Sequence, residues 1–394
     1  MLKEKIKELA EKNFTKTVDI RRHLHQNPEL SFHEYKTSAY VSEKLTALGI
    51  EFQQMANTGL VAILKGNKPS DLVIALRADM DALPIFEQND VPYKSENKGV
   101  MHACGHDAHT ASLLACAEIL SEIKNEFAGT VKFIFQPAEE KLPGGASLMI
   151  KEGVLKNPVP NAVIGQHVMP LIETGKVGFR SGKYMASTDE IYVKVTGKGG
   201  HGAMPHLNID PILITSHIII ALQQIVSRNA DPKTPSVLSF GKIIGMGATN
   251  VIPNEVLLEG TFRTMDEKWR SEAHEKMKKM AEMMAESMGG KCEFNIVRGY
   301  PFLVNEPELT EFCKKNAIDY LGENNVVDLD IWMAAEDFAY FSQEKSACFY
   351  RLGTRNESKG ITSSVHTPTF DIDERSLLIG SGLMAYLAIK NLGN

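Results

Sequence analysis

Three short, almost wholly apolar runs, separated by a helical pattern and by loops, set the strongest limit on how this chain can fold. They are DLVIALRAD at 71 to 79, VKFIF at 131 to 135 and AVIGQHV at 162 to 168, with a helical pattern at about 107 to 124. Strands that are apolar on both faces and alternate with helices belong to a parallel sheet covered on each side. In such sheets ligands bind beyond the carboxyl ends of the strands. The polar residues obey that rule. Asp79 and Asp81 follow the first run, Glu139 and Glu140 follow the second in QPAEE, and His167 ends the third. Cys104 and His106, in MHACGHDAHT, stand just before the helical pattern and therefore in a loop at the same edge.

Between residues 186 and 297 the rhythm changes. DEIYVKVTG alternates as a strand, IDPILITSHIIIALQQIVSR reads as an amphipathic helix, SVLSFGKIIG and EVLLEGTFRT as two strands, DEKWRSEAHEKMKKMAEMMAES as a helix and KCEFNIVRG as a last strand. This β-α-β-β-α-β order is the ferredoxin-like unit. An α/β pattern resumes after Gly299, with ACFYRLG at 347 to 353 as a strand and a closing helix at about 374 to 391. The expected architecture is an α/β domain formed by residues 1–185 and 298–394, with a mostly parallel sheet, interrupted by a ferredoxin-like α+β domain at 186–297. A length of 394 residues agrees with about two domains.

Composition excludes several classes of function. A formal net charge of -6 gives no basic surface for nucleic acid, and nothing suggests a membrane partner. The N-terminal stretch carries charge throughout and spaces Leu2, Ile6 and Leu9 like one helix face, unlike a secretory signal. A cytoplasmic location is expected. The five cysteines are odd in number and scattered, with no C-x-x-C pair, which argues against a disulfide framework and against a redox pair.

Cys104, His106, Glu140, His167 and His366 offer one thiolate, three imidazoles and a carboxylate, and at least the first four converge on one sheet edge. Such donors bind zinc and neighbouring transition metals. Their number exceeds what one catalytic ion takes from protein and suggests two ions. A nucleophilic Cys104 with His106 as base is the competing reading, but it leaves the glutamate pair and His167 without a purpose. Adjacent glutamates in extended chain point in different directions, so one can bind metal while the other serves as general acid and base.

The segments RADMDALP, MHACGHDAHT, QPAEE, GQHV, GKGGHGAMPH and HTPTF together resemble the signatures of metallo-aminoacylases and carboxypeptidases with two metal ions. The most similar branch contains N-acyl-amino-acid amidohydrolases, hippurate hydrolases and auxin-conjugate hydrolases. The resemblance runs in order along nearly the whole chain. It implies that Cys104, His106, Glu140, His167 and His366 bind the metals, that Glu139 is the catalytic base, and that Asp79 orients a ligand. It implies manganese or zinc, with cobalt or nickel as further options, and a homodimer formed through the inserted domain. His201 would then reach the partner's active site and hold the developing oxyanion, while Asn250 and Arg263 would contact substrate. The wider family has His-x-Asp where this chain has Arg77-Ala78-Asp79, and an aspartate where His106 stands. The expected substrate is a small N-acyl or N-aroyl amino acid, with a dipeptidase or carboxypeptidase activity on the same fold as the alternative. A binding module without activity and a cysteine hydrolase are the readings from other classes. His102 and His109 are expected to support the ligands, and His23, His25, His33, His217 and His274 to be structural.

Overall fold

The computed structural model describes residues 2–394 and divides into two compact units. The first comprises the residues up to Tyr184 together with Val304–Ile331 and Asp337–Asn394; the second comprises Met185–Leu303 and the short return Trp332–Glu336.

The first unit is built on an eight-stranded sheet with the order Glu51–Met55, Gly59–Lys65, Ala128–Gln136, Lys68–Asp79, Ala162–Glu173, Ser346–Arg355, Val177–Phe179 and Val326–Asp328. Its centre is parallel: Ala128–Gln136, Lys68–Asp79, Ala162–Glu173 and Ser346–Arg355 run side by side in one direction. The flanking strands Gly59–Lys65 and Val177–Phe179 are antiparallel to this centre. Register places Asp79 opposite Gln136, and His167 opposite Arg351. The parallel strands therefore deliver their carboxyl-terminal residues to one edge, as their apolar runs predict.

Helices Leu2–Gln26, His106–Glu122 and Ser376–Asn391 contact one another in the same unit. Every residue of the middle helix from His106 to Ala117 is buried, the polar His106, Asp107, His109, Thr110 and Ser112 of its first two turns included. Cys116 lies inside it without solvent contact, a small apolar residue of the core.

The second unit has a four-stranded antiparallel sheet in the order Ser236–Ile244, Glu255–Thr264, Asp189–Thr196 and Lys291–Arg298. Helices Pro211–Gln224 and Glu267–Ser287 contribute Ile214, Ile218, Leu222, Met277 and Ala281 to a core shared with Ile191, Val193 and Val195. This is the ferredoxin-like arrangement read from the sequence. Asp210 caps the first helix by accepting the amides of Ile212 and Leu213, and Asp266 caps the second through Trp269. By length and composition Pro211–Asn229 is apolar enough to span a bilayer. Its inner face is nevertheless committed to the unit's own core, while Ile212, Leu213 and Ile220 remain exposed.

Candidate metal centre

Gly105 separates Cys104 from His106 and adopts a φ of 82°. A Cβ there would lie 2.6 Å from Val168 Cγ2. The left-handed turn and the close approach to the neighbouring strand both require glycine. Through this turn two residues on either side of a helix start face the same space. Asp107, next along the helix, is buried and anchors the turn by accepting from Arg21 Nε and from His25 Nδ1, each at 2.8 Å. His25 is thus structural, as expected, but its partner adjoins the site.

Five predicted donors come together. Cys104, His106 and His167 form one group and Cys104, Glu140 and His366 another; within each group the donor atoms lie within 4.8 Å of one another. That is close to the span set by metal bonds of about 2.0 to 2.3 Å meeting at one ion. Cys104 belongs to both groups. Its Sγ lies 3.4 Å from His167 Nε2. His366 occupies a left-handed backbone position, φ 61°, and its amide donates to Ala103 O at 2.7 Å, tying the loop after the last parallel strand to the Cys104 loop.

The ring orientations are set by hydrogen bonds on the opposite nitrogens. His167 Nδ1 donates to Val168 O at 2.7 Å and His106 Nδ1 to Asp81 O at 2.9 Å, so each turns Nε2 toward the cluster. His106 Nε2 is buried without a hydrogen-bond partner. Glu140 Oε1 is likewise buried; His366 Nε2 is 3.1 Å away but without hydrogen-bond geometry. Two orphaned buried atoms aimed at one space, one a lone pair and the other a carboxylate oxygen, fit a bound cation.

Electrostatics agree with that fit. Burial alone would push the His106 imidazole down, but the Asp79 and Asp81 carboxylates beside it raise it to about 10. A field that draws a proton to His106 also draws a metal ion. Burial pushes the Cys104 thiol well above its usual range, and the carboxylates of Glu140, Glu139 and Asp79 push it further. Without a neighbouring cation this thiol stays protonated, which suits a metal ligand and not a free thiolate nucleophile.

Asp79 accepts from His109 Nδ1 at 2.6 Å and from Arg77 Nη1 at 2.6 Å. Its carboxylate is 3.7 Å from His106 Nε2, beyond hydrogen-bond reach. His109 in turn accepts the Val168 amide on Nε2 at 2.9 Å, so both its nitrogens are occupied. The residue that orients His106 is Asp81. Its carboxylate accepts from His106 Nδ1 at 3.2 Å, Glu139 N at 3.0 Å, Glu140 N at 3.0 Å and Ser31 Oγ at 2.6 Å. The sequence placed Asp81 at this edge but did not mark it as a site residue. It also did not single out Arg77, whose guanidinium is fully buried and held by Gln136, Asp79 and Asp337.

Glu139 is 6% exposed and shares a donor group with His106 and Glu140. The two glutamates sit on a bend after Ala138, whose φ is 51°, and not on extended strand. Their directions are set by this bend rather than by strand pleating, and one carboxylate oxygen of each lies within 4.8 Å of the other's.

In the second unit, His201 and Asn250 are neighbours. Val251 pairs with His201, and Gly202 N donates to Asn250 O at 2.8 Å. Arg263 is elsewhere. It lies near the Asp189 end of the sheet, whereas His201 follows Thr196 at the opposite end, roughly 20 Å away at about 3.4 Å per strand residue.

An α/β unit with clustered soft and carboxylate donors at its parallel-strand ends, interrupted by a ferredoxin-like unit, defines a hydrolase built to use divalent metal ions. The chain belongs to the peptidase family M20/M25/M40, whose family model matches residues 75–390. It is 44% identical over 309 residues to the N-acyl-L-amino acid amidohydrolase of Geobacillus stearothermophilus, covering 78% of this chain and 83% of that one. It is 42% identical to thermostable carboxypeptidase 2 of Saccharolobus solfataricus, covering 95% and 94% of the two chains. Among solved structures it is similar to a dinuclear metal-binding M20 peptidase of Bacillus subtilis, with a TM-score of 0.83, 34% identity and coverage of 97% and 99%. The protein is an enzyme that hydrolyses amide bonds.

Asp81→Asn tests the orientation argument. Whichever way the amide turns, one buried N–H faces a donor, at a cost of about 1 to 3 kcal/mol. Urea unfolding should show that loss, and kcat should fall by about a hundredfold if misplacement near 1 Å follows. A loss of stability with unchanged kcat would leave Asp81 as an anchor of the fold alone.

Proposed function

We propose that the enzyme cleaves N-acyl or N-aroyl amino acids to a carboxylate and a free amino acid. The observation that carries this reading is a pair of adjacent, largely buried carboxylates set among soft donors. Both glutamates group with His106, and Glu140 groups further with Cys104 and His366. In this reading Cys104, His106, Glu140, His167 and His366 would hold the two ions. When bound, two divalent ions would supply Lewis acidity toward the amide carbonyl and the attacking water. Softness of the donors favours zinc, cobalt or nickel; the family resemblance adds manganese.

Glu139 accepts the proton of the attacking water and returns it to the departing amine nitrogen. His201 is exposed, and its Nδ1 accepts from Ala203 N at 3.1 Å. The neutral ring therefore carries its proton on Nε2 and can donate to a developing oxyanion. Arg263 is the candidate partner for a substrate carboxylate; Asn250, which neighbours His201 and not Arg263, would reach a polar group of the same substrate together with the other chain's His201. Asp79 acts indirectly, by holding His109 against the strand that carries His167. A dimer through the inserted unit is supported by the exposed Ile212, Leu213 and Ile220 and by the unpaired outer edge of Ser236–Ile244. The second reading, carboxypeptidase or dipeptidase action, is supported by the similarity to the Saccharolobus carboxypeptidase.

Four outcomes test this. Glu139→Gln should retain near-normal metal content by elemental analysis and lose several orders of magnitude in kcat, whereas Glu140→Gln should lose metal; normal turnover by both would remove the pair from the active site. In a substrate panel with metal-defined enzyme, hippurate and N-acetyl amino acids should be cleaved faster than free or carboxyl-terminal peptides; the reverse order selects the peptidase reading. His201→Ala should lose about 100- to 1000-fold in rate with its metals retained. Mixed dimers of His201→Ala and Glu139→Gln chains should recover activity, because one site then combines an intact Glu139 with the other chain's His201. A verified heterodimer without activity rules out action across the dimer.

A further inference from the structure

Glu34 is fully buried in the first unit and has no place in the chemistry above. Its carboxylate accepts from three donors on three separate segments. They are Phe32 N at 2.9 Å, Thr58 Oγ at 2.6 Å and Ala138 N at 2.8 Å. Phe32 and Ala138 both have left-handed backbones, with φ of 69° and 51°. Residues other than glycine seldom adopt that region, and they do so where the surroundings compel them. Ala138 is the residue immediately before Glu139. Its carbonyl is also tied, accepting from Gly145 N at 3.0 Å. A Cβ at Gly145 would fall 1.8 Å from Pro137 O, so the turn closes too tightly for any other residue there.

The three consecutive amides of Ala138, Glu139 and Glu140 are therefore each bonded to a buried carboxylate: the first to Glu34, the next two to Asp81. The two supports differ in what they reach. Asp81 touches His106 and the Glu140 amide, so its loss disturbs metal donors and base together. Glu34 is hydrogen-bonded to none of the five donors; besides Phe32 and Thr58 it holds the peptide that precedes Glu139.

We infer that Glu34 is a positioning residue for Glu139, fixing the left-handed turn at Ala138 that sets the direction of the Glu139 carboxylate. This rests on the reading of Glu139 as the general base. With the bond to Glu34 gone, Ala138 relaxes toward an ordinary negative φ and Glu139 swings, while the metal donors and substrate contacts stay in place. The signature is a loss of kcat without a matching change in KM or metal content.

The test uses the metal-loaded full-length enzyme, with turnover read on whichever of hippurate and N-acetyl-L-methionine the wild type hydrolyses faster. Glu34→Ala and Glu34→Asp should lower kcat by about a hundredfold, with KM within about threefold of wild type and elemental analysis showing unchanged metal. The shorter aspartate keeps the charge but cannot span Thr58 and Ala138 together, and it serves if the alanine variant does not fold. Glu34→Gln should recover most of the rate, since its Oε1 can accept both amides and its Nε2 can donate to the Thr58 hydroxyl. A support of stability alone would lower the unfolding midpoint and leave kcat of the folded, metal-loaded enzyme unchanged, and that result overturns the inference. So does a fall in kcat that tracks metal loss. Glu139→Gln, measured alongside, separates the two claims. If it remains active, the reading of the base fails; if it is inactive while Glu34→Ala and Glu34→Asp turn over normally, only the role of Glu34 fails.

Discussion

The Asp81 carboxylate holds the site together. It gathers donors from the loop of Ser31, from the start of the helix at His106 and from both glutamates of the bend. Burial opposes its charge, but hydrogen bonds from His106 and Ser31, with the Glu140 amide, keep its pKa below the usual carboxylate range. A carboxylate so satisfied remains ionised and rigid. It fixes the imidazole of one donor and the backbone of another, along with the backbone of the proposed base. The positions of these residues relative to one another are thereby a property of one buried anion rather than of three independent loops.

The backbone around this anion is unusual in a consistent way. Gly105, Ala138 and His366 all have positive φ, and each adjoins or supplies a group of the candidate centre. Glycine takes such a position without strain; alanine and histidine are held in it by bonds on both sides of the turn or by an amide bonded to a neighbouring loop. The parallel strands bring their ends to a common edge, but strand geometry alone would send successive side chains to opposite faces. The left-handed turn at Ala138, just past Gln136, and those at Gly105 and His366 in the connecting loops redirect them inward.

Much of this was legible in the sequence because apolar runs mark the parallel strands, and ligand-type residues stand at their carboxyl ends. The change of rhythm at 186 marked the inserted unit for the same reason: strand and helix periods differ locally. What was not legible depends on distant partners. Asp81 meets Ser31 50 residues away and Glu139 58 residues away, and Arg77 meets Asp337 260 residues away. No local pattern encodes those pairings. The antiparallel strands Glu51–Met55 and Gly59–Lys65 also escaped notice, since they are short outer strands of the sheet; the first is mostly exposed. The return of Trp332–Glu336 to the second unit has no local signal either. The bend at Glu139 and Glu140 was read as extended because the left-handed Ala138 carries no glycine to announce it.

The same charges explain why a cysteine can serve in this cluster. Asp79, Asp81, Glu139 and Glu140 crowd a buried space beside two buried arginines, Arg77, committed to Asp79 and Asp337, and Arg351, opposite His167 in the sheet. In that field His106 binds a proton more tightly than usual, and Cys104, pushed up first by burial and then by the same carboxylates, gives one up less readily. Both shifts report one demand, a positive charge between them. A proton on His106 meets the demand in part, but it leaves Cys104 neutral. A divalent ion meets it in full, because the lone pair of His106 and the ionised sulfur of Cys104 then face the same cation. The excess of carboxylates, costly in an empty fold, becomes the source of affinity for the ion.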